Sequence, residues 1–389
     1  SGMPDVAAIT GDSSYVRAID RIWENIVGKK IYITGGIGAR HEGEAFGDNY
    51  ELPNLTAYNE TCAAIGNVYT NYRLFLLHGD AKYFDVLERT LYNGLISGVS
   101  LDGGRFFYPN PLACDGKYRF NADHTITRQP WFGCACCPSN ISRFIPSLPG
   151  YVYAVKDDKV YVNLFLSNRT KLKVNGKNVV LEQETSYPWN GDIRLTVAKG
   201  NQPFVMNVRI PGWVCGSVLP GGLYSYADGE ELAYRVSVNG QEVKGALQKG
   251  YLSIDRRWKK GDVVEIHFDM QPRVVKANDK VAADRGRVAI ECGPLVYCAE
   301  WPDNDFDIST LLLNRHPKFQ VVERPDLLGG INEITTRAQA LSYDATGRLA
   351  AKDVKLTLIP YYAWAHRGEG RMEVWLPIEV GAASAELQE

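Results

Sequence analysis

The sequence predicts a multidomain chain of mixed class, helical in its first part and β-rich in the rest. Its length of 389 residues is more than one ordinary domain needs and suits two or three. Apolar residues recur at three- and four-residue steps before about residue 150, and from about Tyr151 the period changes to two. Apolar residues make up 45% of the chain and charged ones 23%, enough for real cores in each part. Boundaries are expected near 150 and 280, giving segments 1–150, 151–280 and 281–389.

In chain order, Ser1-Gly2-Met3 reads as a cloning remnant before a start methionine, which hides any native targeting signal. Val16, Ile19, Ile22, Trp23 and Ile26 predict a helix capped at Asp12-Ser13 and ended by Gly28. Ile31 to Gly38 is an apolar run closing in glycines. It lacks the lysine and hydroxyl of a phosphate loop, so a flexible loop approaching a ligand is expected. Ile65, Val68, Tyr69, Tyr72 and Leu76 form a second helical stripe, stopped at His78-Gly79. A further helix from Asp80 carries Phe84, Leu87, Leu91 and Leu95. Residues 100–130, rich in Asp, Gly, Asn and Pro, read as a long functional loop.

Strands are expected at Val160–Leu166, Val205–Ile210 and Val263–Phe268, with hairpin turns at Asn175-Gly176 and Asn239-Gly240. A β-sandwich to about residue 275 and a further β-rich segment from Val281 to Pro377 follow.

The net charge of −2 provides no basic field for nucleic acid. No run of about 18 apolar residues marks a membrane span. The 22 Tyr, 13 Phe and 8 Trp suit sugar rings and sandwich cores alike.

The cysteines carry the chemistry. Cys134-Ala135-Cys136-Cys137-Pro138 puts three thiols in four positions, and Glu60-Thr61-Cys62 adds a carboxylate and a fourth. Thiolates with a carboxylate make a plausible tetrahedral zinc set. Buried inert thiols are the alternative, and a disulfide between neighbours would be strained. On a regular helix Glu60 and Cys62 splay by roughly 200°. They share an ion only if Glu60 sits at the helix start, with Thr56 or Asn59 as cap. Cys136 and Cys137 need a bent loop, since Pro138 favours an extended residue 137. Cys134 is left over, with packing as its default role. Upstream, Arg40-His41-Glu42-Gly43-Glu44 is either a solvated charged turn or the source of a general acid.

Taken together, Thr34-Gly35-Gly36, Gly43-Glu44-Ala45-Phe46, Glu60-Thr61-Cys62-Ala63, Trp131-Phe132 and Cys134 through Asn140 resemble the zinc- and cysteine-dependent β-L-arabinofuranosidase family of glycoside hydrolases. Ile359 to Gly368 and Val374-Trp375-Leu376-Pro377 resemble its C-terminal signature. The resemblance implies a partial (α/α)₆ barrel over 1–150 followed by β-sandwich domains. A full barrel has twelve helices, so this chain is expected to be the C-terminal part of a longer protein. By position, Glu44 falls on the acid/base and Cys136 on the nucleophile of a retaining mechanism. Glu60, Cys62, Cys136 and Cys137 fall on the ligands of Zn²⁺, and Tyr108 and Trp131 on substrate contacts.

The implied substrate is an arabinofuranose-containing oligosaccharide or glycopeptide of plant origin. Neither nucleic acid nor membrane is an expected partner, while a homo-oligomer is admissible. A bacterial cytoplasm or periplasm is the implied setting. The rival reading is a non-catalytic carbohydrate-binding or scaffold fragment with a structural zinc, which would lack an acid across an open pocket from Cys136. A thiol redox protein is a third, for which no Cys-x-x-Cys beside a βαβ pattern speaks.

Overall fold

The computed structural model describes residues 2–384. Helix α1 (Gly2–Thr10) precedes the first expected helix, α2 (Ser13–Lys29). Asp12 caps α2 by accepting from the Ser14 amide, as its position predicts. Gly28 lies inside α2 rather than ending it, and Lys30 is the C-cap. Helix α3 (Thr61–His78) buries Ile65 and Val68 but leaves Leu76, the last residue of the expected stripe, exposed. Gly79 ends α3 at φ 61, its amide reaching the Phe75 carbonyl, a conformation glycine takes without a Cβ clash. Helix α4 (Lys82–Thr90) runs on through a π-turn at Leu91–Leu95. Helix α5 (Cys136–Phe144) closes the helical part. None of the described helices is long and apolar enough to cross a membrane.

From Tyr153 onward most elements are antiparallel strands. A six-stranded sheet includes the hairpin Asn168–Val174/Lys177–Thr185. Its turn, Asn175-Gly176, has positive φ at both residues, as does Asn239-Gly240, the pattern of a tight type I′ hairpin. A four-stranded sheet contains Tyr251–Lys259, Asn201–Arg209, Lys159–Val162 and Tyr153–Lys156. The strand expected at Val160–Leu166 stops at Val162. The largest sheet has eleven strands, and its longest are the paired Ile331–Tyr343 and Leu349–Pro360. Tyr224–Tyr226, from the middle of the chain, joins this sheet beside Pro272–Ala277.

Buried ion pairs tie helices to sheets. Arg209 on a central strand meets Asp85 at 2.9 Å and Glu88 at 2.5 Å, both on α4. Arg89 meets Glu291 at 2.6 Å. The largest sheet also braces the loop of residues 100–130. Ala113 and Cys114 pair with Glu373 and Met372, and the Tyr361 hydroxyl donates to the Pro111 carbonyl. Arg128 donates to the Trp364 and Tyr362 carbonyls. The C-terminal signature is therefore the backing of a distant loop.

The glycine-rich stretch is packing, not a ligand loop. A Cβ at Gly35 would stand 2.5 Å from Thr90 on α4, and one at Gly36 2.9 Å from Asn59. The glycines let the chain pass against buried structure.

Candidate active site and metal centre

Two helix N-termini meet at the site. Cys136 is the first residue of α5, and Cys62 the second of α3. The dipoles of the two helix starts favour negative charge on the thiols. Glu60 is the N-cap residue of α3, with extended ψ of 138°, so its carboxylate escapes the helical splay and faces the same point as Cys62. Neither Thr56 nor Asn59 caps α3, which has no side-chain capping hydrogen bond. The neighbouring thiols sit in a helical first turn instead of the expected bent loop. Pro138 is tolerated there because its missing amide is one of the four that no helix satisfies.

The ligand atoms of Glu60, Cys62, Cys136 and Cys137 all lie within 4.8 Å of one another and could hold a metal ion. The Cys136 and Cys137 sulfurs are 3.8 Å apart, and they lie 3.5 and 3.4 Å from one Glu60 oxygen. Cys137 is fully buried and Glu60 is 8% exposed.

Charge accounts for the titration of this set. Burial, then the nearby Glu44, raises the Glu60 carboxyl above its ordinary value. Burial pushes the Cys136 thiol up to about 12. Cys62 is pulled down, first by a hydrogen bond from Cys137 and also by Asn140, while Cys137 is driven up as the donor that keeps its proton. Four acidic groups thus resist ionising together, and a cation among them would remove that resistance.

Glu44 is placed separately. Glu44 lies at the end of a 3₁₀ turn (Glu42–Glu44), with φ of 48° after Gly43 at 70°. Its backbone is clamped by two hydrogen bonds between Arg40 and Ala45. Arg40 pairs with Glu51 and Asp48, not with Glu44. Instead the hydroxyls of Tyr58 and Tyr108 both donate to Oε1 of Glu44, each at 3.1 Å. The Cys136 thiol donates to the Tyr108 hydroxyl at 3.0 Å, which makes a chain from sulfur through phenol to carboxylate. Phe132 meets Tyr108 edge-on at 5.7 Å and holds its ring. His41 meets Tyr58 edge-on at 5.0 Å, and Glu42 is exposed.

The fold therefore brings together Glu44, Glu60, Cys62, Tyr108, Cys136 and Cys137. Trp131 stands exposed at 60%. Cys134 is exposed rather than packed, its sulfur 4.0 Å from the Tyr108 hydroxyl, which corrects the packing role expected of it. It lies two residues before the start of α5. All eight cysteines are free. Sequence reasoning missed Tyr58 and Asn140. Tyr58 precedes Glu60 by two, but Asn59 between them takes a φ of 39° and breaks the extended register that would have put both on one face.

Comparison with known proteins places the chain in a family. Residues 1–150 match the β-L-arabinofuranosidase GH127 catalytic domain, 159–270 the GH127 middle domain, and 272–377 the glycoside hydrolase family 127 C-terminal domain. A non-reducing end β-L-arabinofuranosidase of Bifidobacterium longum subsp. longum is 36% identical, over 96% of this chain and 57% of its own length. A solved GH127 β-arabinofuranosidase superposes with a TM-score of 0.95 at 74% identity, over 98% of this chain and 59% of that one. A GH127 β-L-arabinofuranosidase from Geobacillus stearothermophilus gives 0.88 at 39% identity, over 96% and 58%. This chain thus spans just over half the length of these relatives. With three successive domains matched in order, the chain belongs to glycoside hydrolase family 127, the β-L-arabinofuranosidases.

Proposed function

We propose that this chain carries the catalytic centre of a retaining glycosidase that releases terminal β-L-arabinofuranose from plant glycans or glycopeptides. One observation supports this above the others: Glu44 and Cys136 both bond the Tyr108 hydroxyl, at 3.1 and 3.0 Å. That shared oxygen limits their separation to about 6 Å. The two catalytic groups of retaining glycosidases stand roughly 5–5.5 Å apart. A site holding only a structural ion has no use for a carboxylate there.

Glu60, Cys62, Cys136 and Cys137 would hold zinc. Bonds of ~2.3 Å to sulfur and ~2.1 Å to oxygen in a tetrahedron put sulfurs roughly 3.8 Å apart and a sulfur roughly 3.6 Å from an oxygen. The observed separations of 3.8, 3.5 and 3.4 Å fit that set. When bound, the ion keeps the Cys136 sulfur ionised at neutral pH and makes it a better leaving group.

The residues then divide the reaction. Cys136 Sγ attacks the anomeric carbon while Glu44 gives its proton to the departing oxygen, leaving the sugar on sulfur. Glu44 next takes a proton from water, the water oxygen attacks the same carbon, and the carbon–sulfur bond breaks. Two inversions give net retention. Tyr108 and Trp131 contact the substrate in this reading. Residues 1–150 are read as the later part of an (α/α)₆ barrel, with 151–280 and 281–389 as two β-rich domains.

The test is turnover of an aryl β-L-arabinofuranoside by the zinc-loaded, full-length protein, with the first-formed product followed by NMR. The reading expects β-L-arabinofuranose first. Inverted product, or none, would contradict it.

A further inference from the structure

We infer that Tyr58 is a positioning residue for Glu44, fixing Oε1 as the silent oxygen and Oε2 as the one that carries the proton. This rests on the acid/base reading of Glu44 given above.

Glu44 is an exposed side chain on a turn whose backbone has positive φ. Nothing in that turn restrains its carboxylate, and Arg40 is engaged elsewhere. A general acid that roams loses most of its value, because a misplacement of about 1 Å can cost about 10²-fold. The restraint comes from across the site. Tyr58 and Tyr108 donate to the same oxygen, Oε1, at 3.1 Å each. Two donors on one carboxyl oxygen disfavour a proton there. The proton of the acid form then sits on Oε2, and the lone pair of the base form is on Oε2 as well. One atom serves both steps of the reaction.

Of the two phenols, Tyr58 is the dedicated one. The Tyr108 hydroxyl also accepts from Cys136, so it touches nucleophile and acid alike. Among the described residues the Tyr58 hydroxyl bonds Glu44 alone. Its ring is buried, with His41 edge-on at 5.0 Å, and its carbonyl accepts from the Asn110 amide, so the hydroxyl is held by rigid surroundings.

The experiment compares wild type, Tyr58→Phe, Glu44→Gln and the double variant in the zinc-loaded, full-length protein. The readout is kcat/KM, which reports the first step, across arabinofuranosides from alkyl to dinitrophenyl leaving groups. Tyr58→Phe keeps the ring and its packing, and zinc content checks the cluster. The expected loss is about 10- to 100-fold on alkyl leaving groups and under about 3-fold on dinitrophenyl. In the Glu44→Gln background, adding Tyr58→Phe should cost nothing further, since its route is gone. An equal fall on every leaving group, or full additivity with Glu44→Gln, would overturn the proposal. A wild-type profile in Tyr58→Phe beside a steepened one in Glu44→Gln would overturn it alone. A wild-type profile in Glu44→Gln would overturn the acid/base reading as well.

Discussion

Cys136 and Glu44 should fail in different ways. If Cys136 is the nucleophile, as proposed, Cys136→Ser removes the polarisable sulfur that would form and break the bond to carbon, and turnover should fall by at least about 10³-fold for every leaving group. Glu44→Gln keeps the size and loses the proton. Its loss should be about 10²- to 10⁴-fold on poor leaving groups and small in the first step for those that depart unaided. Steady-state rates against leaving-group basicity check both. A second expectation concerns Asp284. It is buried, accepts from Asn54 at 2.9 Å, and burial raises its carboxyl to about 7. Between about pH 4 and 7 the folded form holds a proton that the unfolded chain has released, so stability falls as pH rises through this window. Asp284→Asn cannot ionise. Its melting temperature relative to wild type should rise between pH 5 and 8, and parallel curves would contradict this.

At the scale of elements, the helix starts decide the site. The two clusters and the Glu-x-Cys spacing were legible because ligand chemistry depends on residue type. The need for Glu60 to sit at a helix start follows from 3.6 residues per turn, and it does. What failed was local conformation next to Pro138, where the helix N-terminus overrides the preference for an extended residue. Tyr58 was hidden by the left-handed Asn59. The hairpin turns at Asn175 and Asn239 were legible because few residues take positive φ twice in a row. Arg209 could not be paired from sequence, since its partners on α4 are more than a hundred residues away. It is fully buried between Asp85 and Glu88. Arg209→Leu would leave those carboxylates uncompensated and should cost about 3–5 kcal/mol, read by denaturant unfolding. A loss below about 1 kcal/mol would show that water or a neighbour takes over.

For the whole molecule, the change from a period of three or four to a period of two marked the passage from helices to sheets. The pairing of residues 113–114 with the end of the chain had no local signal, because such contacts depend on the finished fold. The metal should bind all parts of the site into one unit. One zinc per chain is expected by elemental analysis, and a chelator should lower the melting temperature by about 5 °C or more. Glu60→Ala or Cys137→Ala should abolish both the zinc and that shift.

The central claim is that Cys136 bonds the sugar. It is tested most directly by mixing the zinc-loaded, full-length Glu44→Gln protein with a dinitrophenyl β-L-arabinofuranoside and fragmenting the quenched protein by mass spectrometry. Without a base for the second step, the account predicts one anhydropentose on the peptide containing Cys134 to Cys137, localised to Cys136. An unmodified protein after leaving-group release, or a sugar on a carboxylate or on Cys134, would contradict it.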